Sequence, residues 1–538
     1  MRTFLWLTTI LIAAALAPAY RLDAQPVNIR ISDPSLRDPE EVSIALNPKN
    51  LNQLAAGANI NYLFTSSDAG FTWDMMRMSS QYGFWGDPCL MFDDSGILYY
   101  EHLSGQNWKD PQFLWRMVVQ RSTDAGRTFD DGEEIGLAPP TMQDKGWLGL
   151  DRSQSKSLGT IFESWNEDDK YGSTLPGDSS RIFFAKSSDH GMTWSDRIRV
   201  DDTGGDCIDS SNTVEGATTA ASPNGAVNIA WSARTHIYYD RSTDGGETFG
   251  KDRIIAEQPG GWDFNVPGIS RANGFPMMAS DLNPQSPYYG RLYIMWSDQR
   301  RGVTDVYFTR STDNGGTWSK EIRVNDDSSL NHHFFPSMSL DPVTGRIYLV
   351  FYDRRNYVGG EPWSVPMTDV YLARSTDGGE SFTNEKVSGT AFNPVSKIFF
   401  GDYIGITAYN RHIYPVWVRM DDSLLSVWTA QIVDTAASAT VHSTASSTRD
   451  RIWIAGDAIR PSLAFALAEN EHVAIDLYDM LGRHVESLIS GTYGAGEYRI
   501  RFPASVSPGG YLIRMTTISQ TNDANGSFST LVTKVILP

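Results

Sequence analysis

One eight-residue pattern, Ser-x-Asp-x-Gly-x-Thr/Ser-Trp/Phe, occurs six times in this chain and constrains its fold more than any other feature. The copies are Ser66–Trp73, Ser122–Phe129, Ser187–Trp194, Ser242–Phe249, Ser311–Trp318 and Ser375–Phe382. Their aspartates, Asp68, Asp124, Asp189, Asp244, Asp313 and Asp377, are spaced by 56, 65, 55, 69 and 64 residues. A repeat of this period signals a stack or ring of similar supersecondary units. The pattern has a local mechanical sense. A short aspartate accepts hydrogen bonds from the backbone of its own turn. The glycine two places on tolerates positive φ, and the aromatic packs the turn onto its sheet. These turns therefore join two strands, and they belong away from any active site.

A looser repeat precedes each turn: two apolar strands joined by a short polar or glycine connection. Such hairpins read at 42–57, 88–100, 148–165, 217–231, 276–296, 335–352 and 404–417, one more than the number of aspartate turns. Hairpin, third strand, aspartate turn and fourth strand make one four-stranded propeller blade. The last hairpin is followed by 424–433 and no further aspartate turn, so the final blade lacks a fourth strand of its own. The alternating apolar residues of 27–31 can supply it and close the ring. The fold class is therefore all-β: a seven-bladed propeller over residues 27–433, with six blades as the alternative if the first hairpin is irregular. The composition agrees, with 16 Trp, 23 Tyr, 24 Phe and 46 Gly but 2 Cys. Two cysteines make neither a disulfide scaffold nor a cysteine-rich zinc site. A net charge of −19 argues against nucleic acid or an anionic membrane as the main partner.

The ends carry different signals. Arg2, an apolar run from Phe4 to Ala17 and small residues near Ala19 and Ala24 read as a signal peptide over residues 1–24. The mature protein is then expected outside the cytoplasm, secreted or at the cell surface, where Cys89 and Cys207 could pair. Residues 434–450, rich in Ser, Thr and Ala, read as a linker. Beyond them, the alternation in Val473–Asp479 and further strands near 497–502 and 511–515 read as a small β-sandwich over residues 451–538. Its phrases LYDMLGRHVESL, GAGEYRIRF and SPGGYLIRM, with the terminal KVILP, resemble the C-terminal sorting domains of type IX secretion substrates. That resemblance implies the type IX secretion machinery as a partner.

The six turns resemble the Asp-boxes of sialidases (neuraminidases) and the wider bacterial-neuraminidase-repeat superfamily, over roughly residues 30–433. Asp-boxes also occur in other glycosidases and in propellers that are not enzymes, so the resemblance speaks more for fold than for activity. In such a propeller, residues just before and after each hairpin gather at one axial mouth, opposite the aspartate turns. Before the hairpins stand Arg37, Glu40, Glu41, Asp87, Asp144, Glu215, Arg271, His332, His333, Asp402 and Tyr403. After them stand Asn59, Glu101, His102, Glu167, Asp168, Arg234, Asp298, Arg300, Asp353, Arg354 and Arg419. A mouth of this kind suits an acidic or polyhydroxylated ligand.

The resemblance also implies roles. Sialidases clamp the substrate carboxylate with three arginines, because guanidinium forks match it bidentately. Arg37-Asp38-Pro39 looks like the first arginine motif. Glu215 and Arg234, ahead of Ser242–Phe249, look like the general base and second arginine, and the third is Arg354 or Arg300. Tyr403 looks like the nucleophile that the glutamate activates. The family's acid/base aspartate precedes the first Asp-box, but residues 58–64 (ANINYLF) contain no acid. Asp87 opens the next hairpin and would stand in for it. A hydrolase of paired carboxylates such as Asp87, Asp144 or Glu215 would need no tyrosine at all.

The acidic loop 201–209 offers oxygen ligands of the kind calcium prefers, without the spacing of a known calcium loop. No metal or cofactor is therefore expected. Two functions follow: a secreted sialidase-like glycoside hydrolase that removes a terminal, acidic or neutral, sugar from a glycan, or a non-catalytic surface propeller that binds glycan or protein.

Overall fold

The computed structural model describes residues 26–434, except 37, 108, 111 and 358–365, and the strand segments 451–455, 462–467, 471–479, 483–493, 496–501, 509–519 and 528–537. The expected signal peptide, Arg37, all but the first residue of the expected linker, and residues 480–482 of the sorting-domain-like phrase lie outside the described residues. The described chain is all β, and none of it forms a helix long and apolar enough to cross a membrane. It divides into two compact units, Met1–Ile432 and Val433–Pro538.

The first unit is a run of antiparallel meanders whose strands hydrogen-bond in sequence order. The first sheet holds Ser43–Leu46, Leu54–Ala58, Tyr62–Ser66 and Asp74–Arg77. The second and third begin with Gly86–Phe92 and Met142–Leu150, and the fourth with Glu215–Ala221. The fifth, sixth and seventh begin with Met277–Ser280, His333–Leu340 and Gly405–Tyr409. The seventh takes its outer edge from the other end of the unit: Asn28–Arg30 pairs with Leu424–Ala430, with Asn28 opposite Ala430 and Arg30 opposite Trp428.

Each sheet buries both faces against its neighbours, which is why so many of its strands are apolar along their whole length. Leu63 of the first sheet shares a core with Phe92 and Tyr100 of the second. Trp165 of the third packs with Tyr99 of the second, and Trp231 of the fourth with Phe162 of the third. Ile237 meets Trp296 between the fourth and fifth, and Met295 meets Leu349 between the fifth and sixth. One further core joins Val350 of the sixth, Val416 of the seventh and Ile44 of the first. The series of interfaces thus returns to its start. The seven first strands surround an axial channel, each contributing to its wall. This is the arrangement of a β-propeller.

The aspartate turns all have one geometry. In the first, Asp68 Oδ1 accepts from the Thr72 amide (2.9 Å) and Asp68 Oδ2 from the Thr72 hydroxyl (2.7 Å). Ser66 Oγ accepts from the Gly70 amide (2.8 Å), and Gly70 sits at φ +87°. The same bonds recur around Asp124, Asp189, Asp244, Asp313 and Asp377. Desolvation raises these carboxyls, but the three or four hydrogen bonds each accepts favour its charged form and hold Asp124, Asp189 and Asp313 down at about 2.

The second unit has a three-stranded sheet, Arg451–Ala455, Ser462–Leu467 and Gly496–Arg501, and a four-stranded one, His484–Tyr493, Glu471–Asp479, Gly509–Ser519 and Phe528–Leu537. Leu463 and Phe465 of the first share a core with Ile475, Leu477 and Ile513 of the second.

Candidate active site at the axial mouth

The connections into the first strand and out of the second lie opposite the aspartate turns, and on that side one structural device recurs. The register between first and second strands breaks between Gly86 and Cys89, Asp144 and Trp147, Glu215 and Thr218, and Phe334 and Ser337. A β-bulge of this kind re-aims side chains at the end of a sheet. Its residues Asp87, Lys145, Gly216 and Phe335 all have positive φ (53°, 48°, 72° and 49°). Each lies two residues before regular pairing resumes. Glu41 (φ 53°), Phe275 and Tyr403 hold the same position ahead of Ser43, Met277 and Gly405. Non-glycine residues in the left-handed region carry strain, and strain of this kind collects at functional sites.

The outcome is a mouth with two characters. Asp87, Lys145, Gly216, Phe275, Phe335 and Tyr403 all border one small cavity, partly open to solvent, together with Trp147 and Asp402. One side is charged and the other aromatic. Trp147 meets Tyr403 edge-on, with ring centroids 5.7 Å apart.

Lys145 is the centre of the charged side. Its Nζ lies 2.9 Å from Asp87 Oδ2, 2.9 Å from Asp402 Oδ2, 3.8 Å from Glu41 Oε1 and 4.0 Å from Asp144 Oδ1. The ammonium side chain is only 10% exposed. Asn59 orients two of these acids: its Nδ2 donates to Glu41, and its Oδ1 accepts from the Asp87 amide at 2.8 Å. Arg271 reaches across the mouth from a two-stranded ribbon, Asp263–Phe264 with Ala272–Asn273, between the fourth and fifth sheets. Its Nε donates to Asp402 Oδ1 (2.9 Å) and its Nη1 to Asp209 Oδ2 (2.8 Å), which also accepts from the Tyr171 hydroxyl (2.7 Å).

These contacts push neighbouring carboxyl groups in opposite directions. Burial raises Asp87 and Asp402, but Lys145, joined at Asp402 by Arg271, outweighs it and holds both below the usual aspartate value. Asp144 is pushed up to about 7, chiefly by burial, with Asp87 and Asp209 adding to the effect against Lys145. Burial first, then the charges of Asp209 and Asp144, raise Glu215 well above the glutamate value. Asp168 likewise rises to about 7 through burial and Asp144. Burial pulls Lys145 down, yet Asp402, Asp87, Asp144 and Glu41 together raise it well above the lysine value.

The residues singled out from the sequence divide in the structure. Asp87 and Tyr403 border the cavity, and Glu215 immediately precedes Gly216 in its wall. The Tyr403 hydroxyl donates to the Pro88 carbonyl (3.4 Å) rather than to Glu215. Burial and the charges of Asp87 and Glu41 raise its pKa, the reverse of what activates a phenol. Arg234 turns onto the carbonyls of Thr203 and Gly204. Arg300 pairs with Asp298 (2.7 Å) and lies over the Tyr307 ring. Arg354 is 2% exposed and donates to the Pro267 carbonyl (2.6 Å) and Thr368 Oγ1 (3.0 Å). Each of these three guanidinium groups thus has protein partners. Cys89 and Cys207 are both free and buried. Sequence reasoning missed Lys145, whose only local signal is a lysine between an aspartate and a glycine at the start of an apolar strand.

No protein-family model matches the chain, and no curated protein is significantly similar to it. Solved structures do resemble it. An ulvan lyase, of a polysaccharide lyase family, is 11% identical over 76% of this chain and 96% of its own, with a TM-score of 0.44. The NanB sialidase of Streptococcus pneumoniae is 13% identical over 76% of this chain and 70% of its own, with a TM-score of 0.37. A protein of unknown function from Dyadobacter fermentans is 11% identical over 76% of this chain and 98% of its own, with a TM-score of 0.42. Similarity this low says nothing about chemistry.

Proposed function

We propose that this chain is a carbohydrate-active, seven-bladed propeller whose axial mouth hydrolyses a glycosidic bond with two carboxyl groups. One observation carries the reading: Lys145 stands between ionised Asp87 and Asp402 and an Asp144 that keeps its proton near neutrality. Carboxyl pairs whose environments drive their pKa values apart divide naturally into acid and base. Asp144 then protonates the leaving oxygen, with Glu215 beside it as a second protonated carboxyl. Asp87 is the ionised partner, acting on water or on the sugar carbon. Asp87 Oδ2 and Asp144 Oδ1 lie 2.9 Å and 4.0 Å from the same ammonium, so the two carboxyls are no more than about 7 Å apart. The half-buried rings of Phe275 and Tyr403 offer apolar surface to a sugar face. The paired carboxylates support this route better than a tyrosine nucleophile with an arginine clamp.

The competing reading is a propeller that binds glycan without cleaving it. The ion pairing of Lys145 and Arg271 at the mouth favours it. Assaying the purified protein on a panel of fluorogenic glycosides separates the two. Turnover that Asp144→Asn and Asp87→Asn each abolish, with glycan binding kept, is the expected result. Glycan binding with no turnover on any substrate would leave the binding module.

We also propose export, on the strength of residues 1–24 and the sorting-domain resemblance. Recovery from culture medium of a chain beginning after residue 24 tests it.

A further inference from the structure

The residue immediately before each aspartate turn is basic in five of the six copies: Arg121, Lys186, Arg241, Arg310 and Arg374, with Thr65 in the first. In four sheets this side chain leaves its own turn and reaches the turn of the next sheet. Arg121 of the second sheet donates to the His190 carbonyl in the third (3.3 Å), and Lys186 of the third to the Gly245 carbonyl in the fourth (2.7 Å). Arg241 of the fourth donates to the Asn314 carbonyl in the fifth (2.6 Å), and Arg310 of the fifth to the Gly379 carbonyl in the sixth (2.8 Å). Across the closure of the ring, Gln431 of the seventh sheet donates to the Ala69 carbonyl in the first (3.1 Å). His190, Gly245, Asn314 and Ala69 each directly follow the aspartate of their turn. Two links have a second cation. Arg253 donates to the Gly315 and Gly316 carbonyls (2.6 and 2.7 Å), and Arg291 to the Gly378 carbonyl (3.0 Å).

The turn prepares these acceptors. Its aspartate and serine side chains take the amides, as around Asp68 and Ser66, which leaves the carbonyls for the neighbour. A carbonyl gains more from a charged donor than from a neutral one. The Lys186 and Arg310 side chains are 21% and 16% exposed, so water competes poorly for them. The contact is close enough to demand the glycine of the pattern for a second reason besides its φ. A Cβ on Gly246 would stand 2.6 Å from the Phe184 ring of the third sheet, and one on Gly379 2.5 Å from the Phe308 ring of the fifth. In the first sheet, where the cation is missing, Thr65 packs instead, its methyl 2.8 Å from a Cβ built on Gly126 of the second. The seventh sheet carries no copy of the pattern. There Asp341 of the sixth accepts from the Asn410 and Arg411 amides of the seventh (2.9 and 2.7 Å).

We propose that the aspartate turns are joints between sheets. Each presents a carbonyl socket to the preceding sheet, and the captured side chains clasp the ring on the face opposite the mouth. A turn that served only its own two strands would need neither the preceding cation nor the close approach at its glycine. The inference stands apart from the glycan-processing reading, because none of these side chains borders the cavity at the mouth.

Hydrogen–deuterium exchange of the full chain, read peptide by peptide in a mass spectrometer, tests the direction of each link. Lys186→Met is expected to speed exchange in 242–249, the turn of the next sheet, by about tenfold or more, the size of a lost hydrogen bond to a charged group. Its own turn, 187–194, should keep nearly its original rate. Arg241→Met should act in the same way on 311–318, and Lys186→Arg should keep the protection. Arg127→Met removes an exposed arginine within the second turn and should leave every turn unchanged. Thr65→Arg supplies the cation that the first sheet lacks and should slow exchange in 122–129. Deprotection confined to the variant's own turn, an effect no larger than that of Arg127→Met, or no added protection from Thr65→Arg would each overturn the proposal.

Discussion

Replacing Lys145 with methionine keeps the length of the side chain and removes its charge. The ammonium is 2.9 Å from Asp87 and 2.9 Å from Asp402. In an effective dielectric near 20, each pair at that distance is worth about 6 kcal/mol of gross attraction. Desolvating three charged groups offsets most of it, yet removing one partner from a buried cluster leaves the others uncompensated and typically costs about 3–5 kcal/mol. The sign of the pH dependence follows from the directions of shift. Asp87 and Asp402 have folded-state values below their ordinary ones because of Lys145. They therefore contribute stability above the unfolded-state value, and that stability is lost as the pH falls through the folded-state value. Without Lys145, burial dominates and their values rise. Their penalty in the variant is then largest at alkaline pH and fades as they take up protons. Urea unfolding of both proteins at pH 8 and pH 5, followed by tryptophan fluorescence, measures the difference. The expected loss is about 3–5 kcal/mol at pH 8 and clearly less at pH 5. A loss below about 1 kcal/mol, as for an exposed ion pair, or one independent of pH, would refute the idea that Lys145 is the electrostatic centre of the mouth.

Other consequences can be checked separately. If Asp144 is the general acid, its value of about 7 makes kcat fall as the pH rises through neutrality, and a pH–rate profile should show that limb. Tyr403→Phe removes only a 3.4 Å hydrogen bond to the Pro88 carbonyl, so kcat should stay within about tenfold of the original; a loss of several thousandfold would restore the tyrosine as nucleophile. Asp244→Ala removes the acceptor for the Thr248 amide and the Ser242 and Thr248 hydroxyls, and thermal unfolding should show a loss of about 1–2 kcal/mol with probe binding at the mouth unchanged.

The parts of this protein legible in its sequence are those built from short-range interactions. The aspartate turn closes its hydrogen bonds within four residues, so Ser66, Asp68, Gly70 and Thr72 carry their own explanation. Strand alternation and the spare hairpin at 404–417 point to the ring, and the apolar stretch before the first hairpin points to the edge strand that pairs with Leu424–Ala430. Asp87 and Tyr403 were found because the propeller pattern places the starts of first strands on one axis.

Tertiary structure alone decided the electrostatics. Arginines at 234, 300 and 354 look alike as letters, but a guanidinium takes whichever acceptor the fold brings nearest, here Gly204, Asp298 and Pro267. Arg271 finds Asp402 across 131 residues. Lys145 became a hub because the bulge reverses its backbone into the axis and ring closure delivers Asp87 from one neighbour and Asp402 from the far end of the unit. Hydrogen bonds within a turn depend on a few dihedral angles that the local residues dictate. The charge around a buried carboxyl depends on distances set by every sheet in the circle, and no short stretch of chain contains them.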